Sequence, residues 1–336
     1  MRILITGGAG FIGSNLILHW FKHHPDDIIL NLDNLTYAAN IDFLNPVTSN
    51  PNYRFIQADI VDRNHLKDVL REFIPQGVIH LAAESHVDNS IKGPEIFVLT
   101  NVLGTFNLLE ECRQLWNKDK LTFNENRFLH ISTDEVFGSL ESGSFSEQTP
   151  YRPNSPYSAT KAGSDHIVRA YHYTYGMNAI ITNCSNNFGP NQNNEKLIPT
   201  VIRSAISRDK IPVYGNGQNI RDWLFVEDHC NALDMVFHKG KSGETYNIGG
   251  RNQWKNIDLV NKICDLLSDI LQYNVKEQIS NVTDRLGHDL RYAVDSTKIE
   301  RELKWRPAKD FDTNLKTTID WYLKKREHSP LTQQII

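Results

Sequence analysis

An excess of positive charge is missing from this chain. Lys and Arg number 36 against 40 Asp and Glu, a formal net charge of -4. Nucleic-acid binding needs a basic face, so no such partner is expected. A local basic pocket for one small phosphorylated ligand remains open. Cysteine is scarce too. Cys112, Cys184, Cys230 and Cys264 are widely spaced and form no CxxC pair. That argues against a disulfide framework or a metal centre and for a reduced compartment. No apolar run reaches about 18 residues, so no membrane span is expected. The chain opens on Arg2-Ile3-Leu4-Ile5-Thr6 without a charged leader, so no signal peptide is expected and a cytoplasmic location is. No internal repeat or low-complexity stretch stands out. What is present is an ordinary globular balance, 40% hydrophobic and 23% charged, in a chain of 336 residues. It can bury a large core as one large domain or two fused ones.

The first half alternates β-rich runs with helical patterns. Arg2–Thr6, Ile28–Asp33, Tyr53–Gln57, Gly77–Leu81, Phe128–Ser132 and Asn178–Asn183 read as strands. Ser14–Lys22, Asn64–Phe73, Ile96–Trp116 and Pro156–Tyr175 read as helices. This alternation predicts an α/β fold, a doubly wound parallel sheet of Rossmann type with helices on both faces. After Asn183 the rhythm changes to Gly- and Pro-bearing loops, with helical patterns at Leu197–Ser207, Glu227–Phe237, Asn256–Leu271 and Thr313–Lys325. The expected division is a nucleotide-binding domain over residues 1–185, a smaller α/β substrate lobe over 186–326, and a tail over 327–336.

Two motifs point to a dinucleotide. Gly7-Gly8-Ala9-Gly10-Phe11-Ile12-Gly13 follows the first strand and opens a helix. Its G-x-x-G-x-x-G spacing lets backbone approach a pyrophosphate, and the helix N-terminus offers free N–H groups. Asp33 ends the second strand, 20 residues after Gly13. A carboxylate there binds adenosine ribose hydroxyls and repels a 2′-phosphate, which favours NAD over NADP. Asp59-Ile60 ends the third strand and Leu81-Ala82-Ala83 follows the fourth.

Two further motifs carry chemistry. Tyr157 and Lys161 lie four apart on a predicted helix capped by Ser155 and begun by Pro156. A tyrosine of ordinary pKa near 10 is a poor base. A neighbouring ammonium and a nicotinamide cation are expected to lower that value, so the phenolate can take a hydroxyl proton as hydride leaves carbon. Ahead of that helix stands Ile131-Ser132-Thr133-Asp134-Glu135-Val136-Phe137-Gly138. A simple dehydrogenase has no use for an additional acid and base. An enzyme that oxidises a sugar, expels water and returns the hydride does.

Together these segments resemble the extended short-chain dehydrogenases/reductases that act on nucleotide sugars, and more closely the dTDP-glucose 4,6-dehydratase family. The similarity also covers His80–Asp88, Asn101–Thr105, Asn183–Pro190, Glu195–Pro199, Arg221–His229, Asn247–Gly250 and Asp284–Asp289, almost the whole chain. Thr133-Asp134-Glu135 is its specific part. The departures are few. Asn89 stands where the family has arginine and Ala39 where glycine is usual. Phe137, Phe188 and Phe225 replace common tyrosines, and Leu290 a common basic residue.

The resemblance implies a lyase with tightly bound NAD. Tyr157 takes the C4 hydroxyl proton during oxidation, Glu135 removes the C5 proton and Asp134 protonates the leaving C6 oxygen. Thr133 bonds the C4 oxygen, and Lys161 supports Tyr157. The implied cofactor set is Gly7, Gly10, Phe11, Ile12, Gly13, Asp33, Asn34, Leu35, Thr36, Asp59, Ile60, Leu81, Ala82, Ala83, Ser85, Thr100, Tyr157, Lys161 and Asn187.

For substrate, Lys196 and Arg221 lead as pyrophosphate partners, followed by Asp284, Arg285 and His288. Ser85, Thr133, Asn186, Leu197, Pro212, Tyr214 and Asn256 complete the implied set. His80, His86, His130 and His229 read as structural or polar groups, with no metal site. The expected partner is a nucleotide sugar, and the family form is a homodimer. Alternatives are the same reaction on UDP- or CDP-glucose, a nucleotide-sugar 4-epimerase, and a catalytically silent NAD-binding regulator.

Overall fold

The structure, a computed structural model, describes residues 1–117 and 125–327. Nearly all of the expected tail lies outside the described residues. Twelve strands are described: β1 (Arg2–Thr6), β2 (Ile28–Asp33), β3 (Tyr53–Gln57), β4 (Gly77–His80), β5 (Arg127–Thr133), β6 (Ala179–Cys184), β7 (Asn186–Phe188), β8 (Ile211–Tyr214), β9 (Ile220–Phe225), β10 (Thr245–Ile248), β11 (Gln253–Lys255) and β12 (Ile279–Val282).

Seven strands form one parallel sheet in the order β10-β6-β5-β4-β1-β2-β3. The expected doubly wound sheet is present. The direction of winding reverses between β1 and β4, and in such sheets the crevice beyond the strand ends at that point takes the ligand. The period-2 alternation of side chains builds both faces. Ile3 and Ile5 of β1 join one core with Leu16, Ile17 and Trp20 of the helix Phe11–His23 and Val236 and Phe237 of the helix Val226–Lys239. Leu4, between them, joins the opposite core with Leu66 and Leu70 of the helix Arg63–Phe73, Leu108 of the helix Thr105–Trp116 and Val168 of the helix Pro156–Tyr175.

A third core packs the helices Leu197–Ser207, Asn256–Leu271 and Phe311–Glu327 against two small sheets, β11-β9-β7 and β12-β8. The chain does not keep to one side of residue 185. The helix Val226–Lys239 packs on the helix Phe11–His23, and β10 pairs with β6 as the seventh strand of the large sheet.

Residues 95–116 form a helical rod whose middle, Val98–Gly104, is wound wider than an α-helix. Such i→i+5 stretches occur mostly at functional sites. At Gly104 a Cβ would lie 2.6 Å from Ile60, so only glycine lets the rod approach this closely.

Candidate active site

A cavity of about 400 Å³ opens beyond the C-terminal ends of the large sheet. Its first wall is backbone. Gly7 has φ +73, and a Cβ on Gly13 would stand 2.2 Å from the Gly7 carbonyl oxygen, so the G-x-x-G-x-x-G turn closes only with glycine there. Asp33 locks this turn to β2: its Oδ2 accepts from the Ala9 amide at 2.9 Å and its Oδ1 from the Leu35 amide at 2.8 Å. Asn34 donates to Asp59 Oδ2 at 3.0 Å, which ties the ends of β2 and β3 together. Of the expected cofactor residues, all line this cavity except Leu35, which contributes its amide to Asp33 instead. These groups fit a dinucleotide: a side-chain-free turn at a helix start, and a carboxylate with lone pairs left for ribose hydroxyls.

The second wall is chemical. Ser155 caps the helix Pro156–Tyr175 through the Ser158 amide, with Pro156 at its first position, as the sequence predicts. A cap of this kind is worth about 1 kcal/mol. Tyr157 and Lys161 share the face that looks into the cavity, and Lys161 Nζ donates to the Ile131 carbonyl at 2.8 Å. Thr133, Asp134 and Glu135 follow β5 in a single tight turn, where the Thr133 hydroxyl accepts from the Glu135 amide at 3.2 Å.

Asp134 is fully buried, and its Oδ2 finds no hydrogen-bond partner among the described residues. Burial, then the Glu135 carboxylate, push Asp134 well above the ordinary carboxylate range. Burial raises Glu135 as well, but Arg285, Arg221 and Lys196 pull it back. The two acids are thus held apart in the sense that acid and base roles require.

The expected lowering of Tyr157 by Lys161 is not seen. Burial, then the carboxylate of Glu135, hold the Tyr157 phenol well above 10, while a hydrogen bond with Thr133 pulls the other way. The Lys161 ammonium is spent on the Ile131 carbonyl, and burial lowers its own pKa.

Beneath this wall lies a buried network that sequence reasoning missed. Asp165 Oδ1 is 3.1 Å from His130 Nε2, and Asp165 Oδ2 accepts from Ser132 Oγ at 2.8 Å and Tyr151 Oη at 2.9 Å. Burial alone would raise the Asp165 carboxyl, yet His130, Lys161 and Ser132 hold it below its usual range. It is the counter-charge under Lys161 and rivets the catalytic helix to β5. The available signal was its place four residues after Lys161 on the same helix face.

The expected substrate residues divide into two groups. Ser85, Thr133, Asn186 and Lys196 line the cavity, and Lys196 Nζ reaches the Ser85 carbonyl at 3.4 Å. Leu197, Pro212, Tyr214, Arg221, Asn256, Asp284, Arg285 and His288 do not line it. Leu197 packs on the third core, and Pro212 lies on β8. Asn256 begins its helix with a buried Oδ1 that lacks a partner.

The charged members form an adjoining cluster. Tyr214 Oη donates to Asp88 Oδ2 at 3.0 Å, Arg285 lies 3.8 Å from Asp88 Oδ1, and His288 Nδ1 is 2.6 Å from Asp284 Oδ1. Arg221 is the exception. It is 4% exposed, its guanidinium donates to the Ile220 and Asp289 carbonyls and lies 4.3 Å over the Tyr292 ring, and it has no ion pair among the described residues. A buried cation without a counter-ion marks a place for an anion.

A family model for GDP-mannose 4,6 dehydratase matches residues 4–318. A "Probable dTDP-glucose 4,6-dehydratase" from Sinorhizobium fredii is 52% identical over 96% of this chain and 93% of its own length. The dTDP-glucose 4,6-dehydratase of Salmonella typhimurium is 50% identical over the same shares. The chain belongs to the dTDP-glucose 4,6-dehydratase family. Among solved structures, the family member DesIV from Streptomyces venezuelae, crystallised with NAD and TYD, superposes with a TM-score of 0.89. It is 44% identical over 97% of this chain and 98% of that one.

Within this dehydratase family frame the departures find places. Asn89 lies beside Tyr37, a half-exposed ring; burial, then Glu195 and Glu84 at the cavity edge, push its hydroxyl pKa up to about 12. Ala39 lines the cavity itself. Phe137 stacks on Phe145 at 5.0 Å, and Phe188 packs on Phe225 at 5.6 Å, so these phenyl rings serve cores that need no hydroxyl. The four histidines behave as polar struts. His80 bridges Thr6 and Thr105 at 2.7 and 2.9 Å, and His229 Nδ1 holds Asn187 Oδ1 at 2.8 Å. His86 Nδ1 caps the Asn89 amide at 3.2 Å.

Proposed function

We propose that this protein converts dTDP-glucose to dTDP-4-keto-6-deoxyglucose and water, as an NAD-dependent 4,6-dehydratase of the hydro-lyase class. The observation that carries the reading is the Asp134 carboxyl oxygen, buried and unpartnered, on the same cavity wall as Glu135 and Tyr157.

The glycine turn, Asp33 and Lys161 would hold NAD, which when bound would supply a hydride acceptor for C4 and a hydride donor for C6. The chain's own groups do the rest. Tyr157 takes the C4 hydroxyl proton, and Thr133, beside it, orients that oxygen. A bound nicotinamide would, by its positive charge, bring the phenol down from its raised value. The C4 ketone then makes the C5 proton removable. Glu135, the less raised acid, takes it as a carboxylate and gives a proton back to C5 when hydride reaches C6. Asp134, the more raised acid, is protonated and gives its proton to the departing C6 oxygen. Arg221 and Lys196 hold the diphosphate, Arg221 with the better geometry for a bidentate grip. A 4-epimerase on this scaffold needs no acid–base pair at C5 and C6, and a silent regulator would not need Tyr157 and Lys161.

The same reading extends to the assembly. Ile96, Val98, Leu103, Tyr173 and Tyr175 are exposed apolar groups on the 95–116 rod and the catalytic helix, which pack together. This supports a homodimer joined through that helix pair. No described helix is long and apolar enough to cross a membrane, and we place the enzyme in the cytoplasm.

The test is incubation of purified protein with dTDP-, UDP- and CDP-glucose without added NAD, reading the absorbance of the alkali-treated 4-keto product. Product from dTDP-glucose with no build-up of NADH is expected. Faster turnover of UDP- or CDP-glucose would reassign the base. Stoichiometric NADH without keto-deoxy product would end the dehydratase reading.

A further inference from the structure

Far from the cavity, two helices bring four imidazoles and carboxylates together for which the dehydratase reaction has no use. The helix Phe11–His23 starts at the glycine turn and ends, roughly 20 Å away at 1.5 Å per residue, beside His19 and His24. The helix Val226–Lys239 packs along it and presents Asp234 and His238 one turn apart. The Asp234 carboxylate is the hub. Its Oδ2 lies 3.2 Å from His19 Nε2 and 2.9 Å from His24 Nε2, and its Oδ1 lies 2.8 Å from His238 Nδ1. The donor atoms of His24, Asp234 and His238 all fall within 4.8 Å of one another.

Ligands at about 2.0–2.1 Å from one divalent ion stand roughly 3.0–3.4 Å apart. The spacing from Asp234 to each imidazole is already close to that, so an ion could enter with small side-chain shifts. The rings are also held in place by neighbours. His24 and His238 stack at 4.7 Å, and the Trp20 indole stacks on His238 at 5.3 Å. That indole is itself fixed by donating to Asp27 Oδ2 at 3.0 Å. Outer groups that orient ligating imidazoles are what a metal site needs besides its donors.

We propose that His24, Asp234 and His238 form a site for a zinc-class divalent ion, with His19 hydrogen-bonded to the Asp234 carboxylate behind it. Nitrogen-rich donors with one carboxylate select Zn²⁺, Ni²⁺ or Cu²⁺ over Mg²⁺ and Ca²⁺, which prefer oxygen. Three protein donors leave one tetrahedral position for a water. Its effect is a brace between two helices whose other ends serve the cavity. One carries Gly10 and Gly13, and the other carries His229, which holds Asn187.

The experiment uses untagged full-length protein stripped with EDTA. Zn²⁺ uptake is followed by competition with a chromophoric chelator, and Co²⁺ by its visible absorption. One equivalent of Zn²⁺ per chain is expected, with no binding of Mg²⁺, and with a melting temperature raised by Zn²⁺. His24→Gln, His238→Gln and Asp234→Asn should each weaken Zn²⁺ binding about tenfold or more. His238→Gln should leave dTDP-glucose turnover unchanged. If Asp234→Asn does not fold, the two histidine variants decide the matter. Sub-stoichiometric Zn²⁺, or affinity unchanged in both histidine variants, overturns the proposal and leaves Asp234 as the centre of an ordinary ion-pair network.

Discussion

The cavity and the charged cluster beside it are built from different materials. The dinucleotide wall is mostly main chain: glycines that tolerate no side chain, helix-start amides, and Asp33 fastened at both oxygens. The adjoining cluster, where we propose that the substrate diphosphate binds, is mostly charged side chain. There Asp88 occupies Tyr214 and lies near Arg285, and Asp284 occupies His288, while Arg221 leans on carbonyls. Backbone sites are rigid and cost little to fill. Side-chain sites must exchange internal partners for the ligand, which lowers affinity but lets the cluster close around it.

That contrast can be broken or sharpened by mutation. The largest effect should come from Tyr157→Phe, which removes the proposed proton acceptor of the cavity. A loss in kcat of about 10²–10⁴ is expected, with NAD content by absorbance unchanged. Glu135→Gln should cut product formation by about 10² or more while reduced nicotinamide still appears in a single turnover. Loss of both signals would move Glu135 to an earlier step. Arg221→Lys tests the side-chain cluster. Losing the forked guanidinium should raise KM for dTDP-glucose about tenfold or more and leave NAD binding alone. Weakened NAD retention in that variant would show that cavity and cluster are not independent.

The pH response comes next. Asp134 and Glu135 are both raised, Asp134 more so. Activity needs Glu135 ionised and Asp134 protonated, so kcat should rise as pH climbs through the raised value of Glu135 and fall as it passes that of Asp134. The same shifts carry a stability sign. A carboxyl raised in the folded state makes stability decline as pH rises from the ordinary carboxylate range to the folded value. Asp134→Asn should flatten that part of the melting curve. The smallest effect is Asp88→Asn. It frees Tyr214 and Arg285 from a half-exposed partner worth about 0–1 kcal/mol, so KM should fall by at most about fivefold.

How much of this was legible depended on how local the cause was. β1 to β6 begin and end within one residue of the sequence reading, because strands buried on both faces are short unbroken apolar runs. β10 went unread: four residues after a loop carry no periodicity, and only pairing with β6 makes them a strand. One of the expected Gly-bearing loops after Asn183 joins β8 to β9. Gly215 and Gly217 sit at φ +56 and +69 between β8 and β9.

The site followed the same rule. The glycine turn, Asp33, the Thr133–Glu135 turn and the Tyr157–Lys161 pair are contiguous motifs, and all reach the cavity. Arg221's grip on the Asp289 carbonyl, 68 residues away, and the seat of Asp165 against His130 are made only by folding. The sign of the Tyr157 shift was also hidden, since burial dominates it and no motif displays burial.

The seventh strand has a consequence for how the molecule is made. Until Thr245–Ile248 is synthesised, β6 waits with an unpaired edge and with Tyr246 and Ile248 not yet delivered to their core. A fragment cut after residue 185 would carry the whole glycine turn and the catalytic helix, yet present that bare edge to other copies of itself. The first half of this polypeptide contains the proposed reactive groups, but its sheet edge is covered by a short piece of the second.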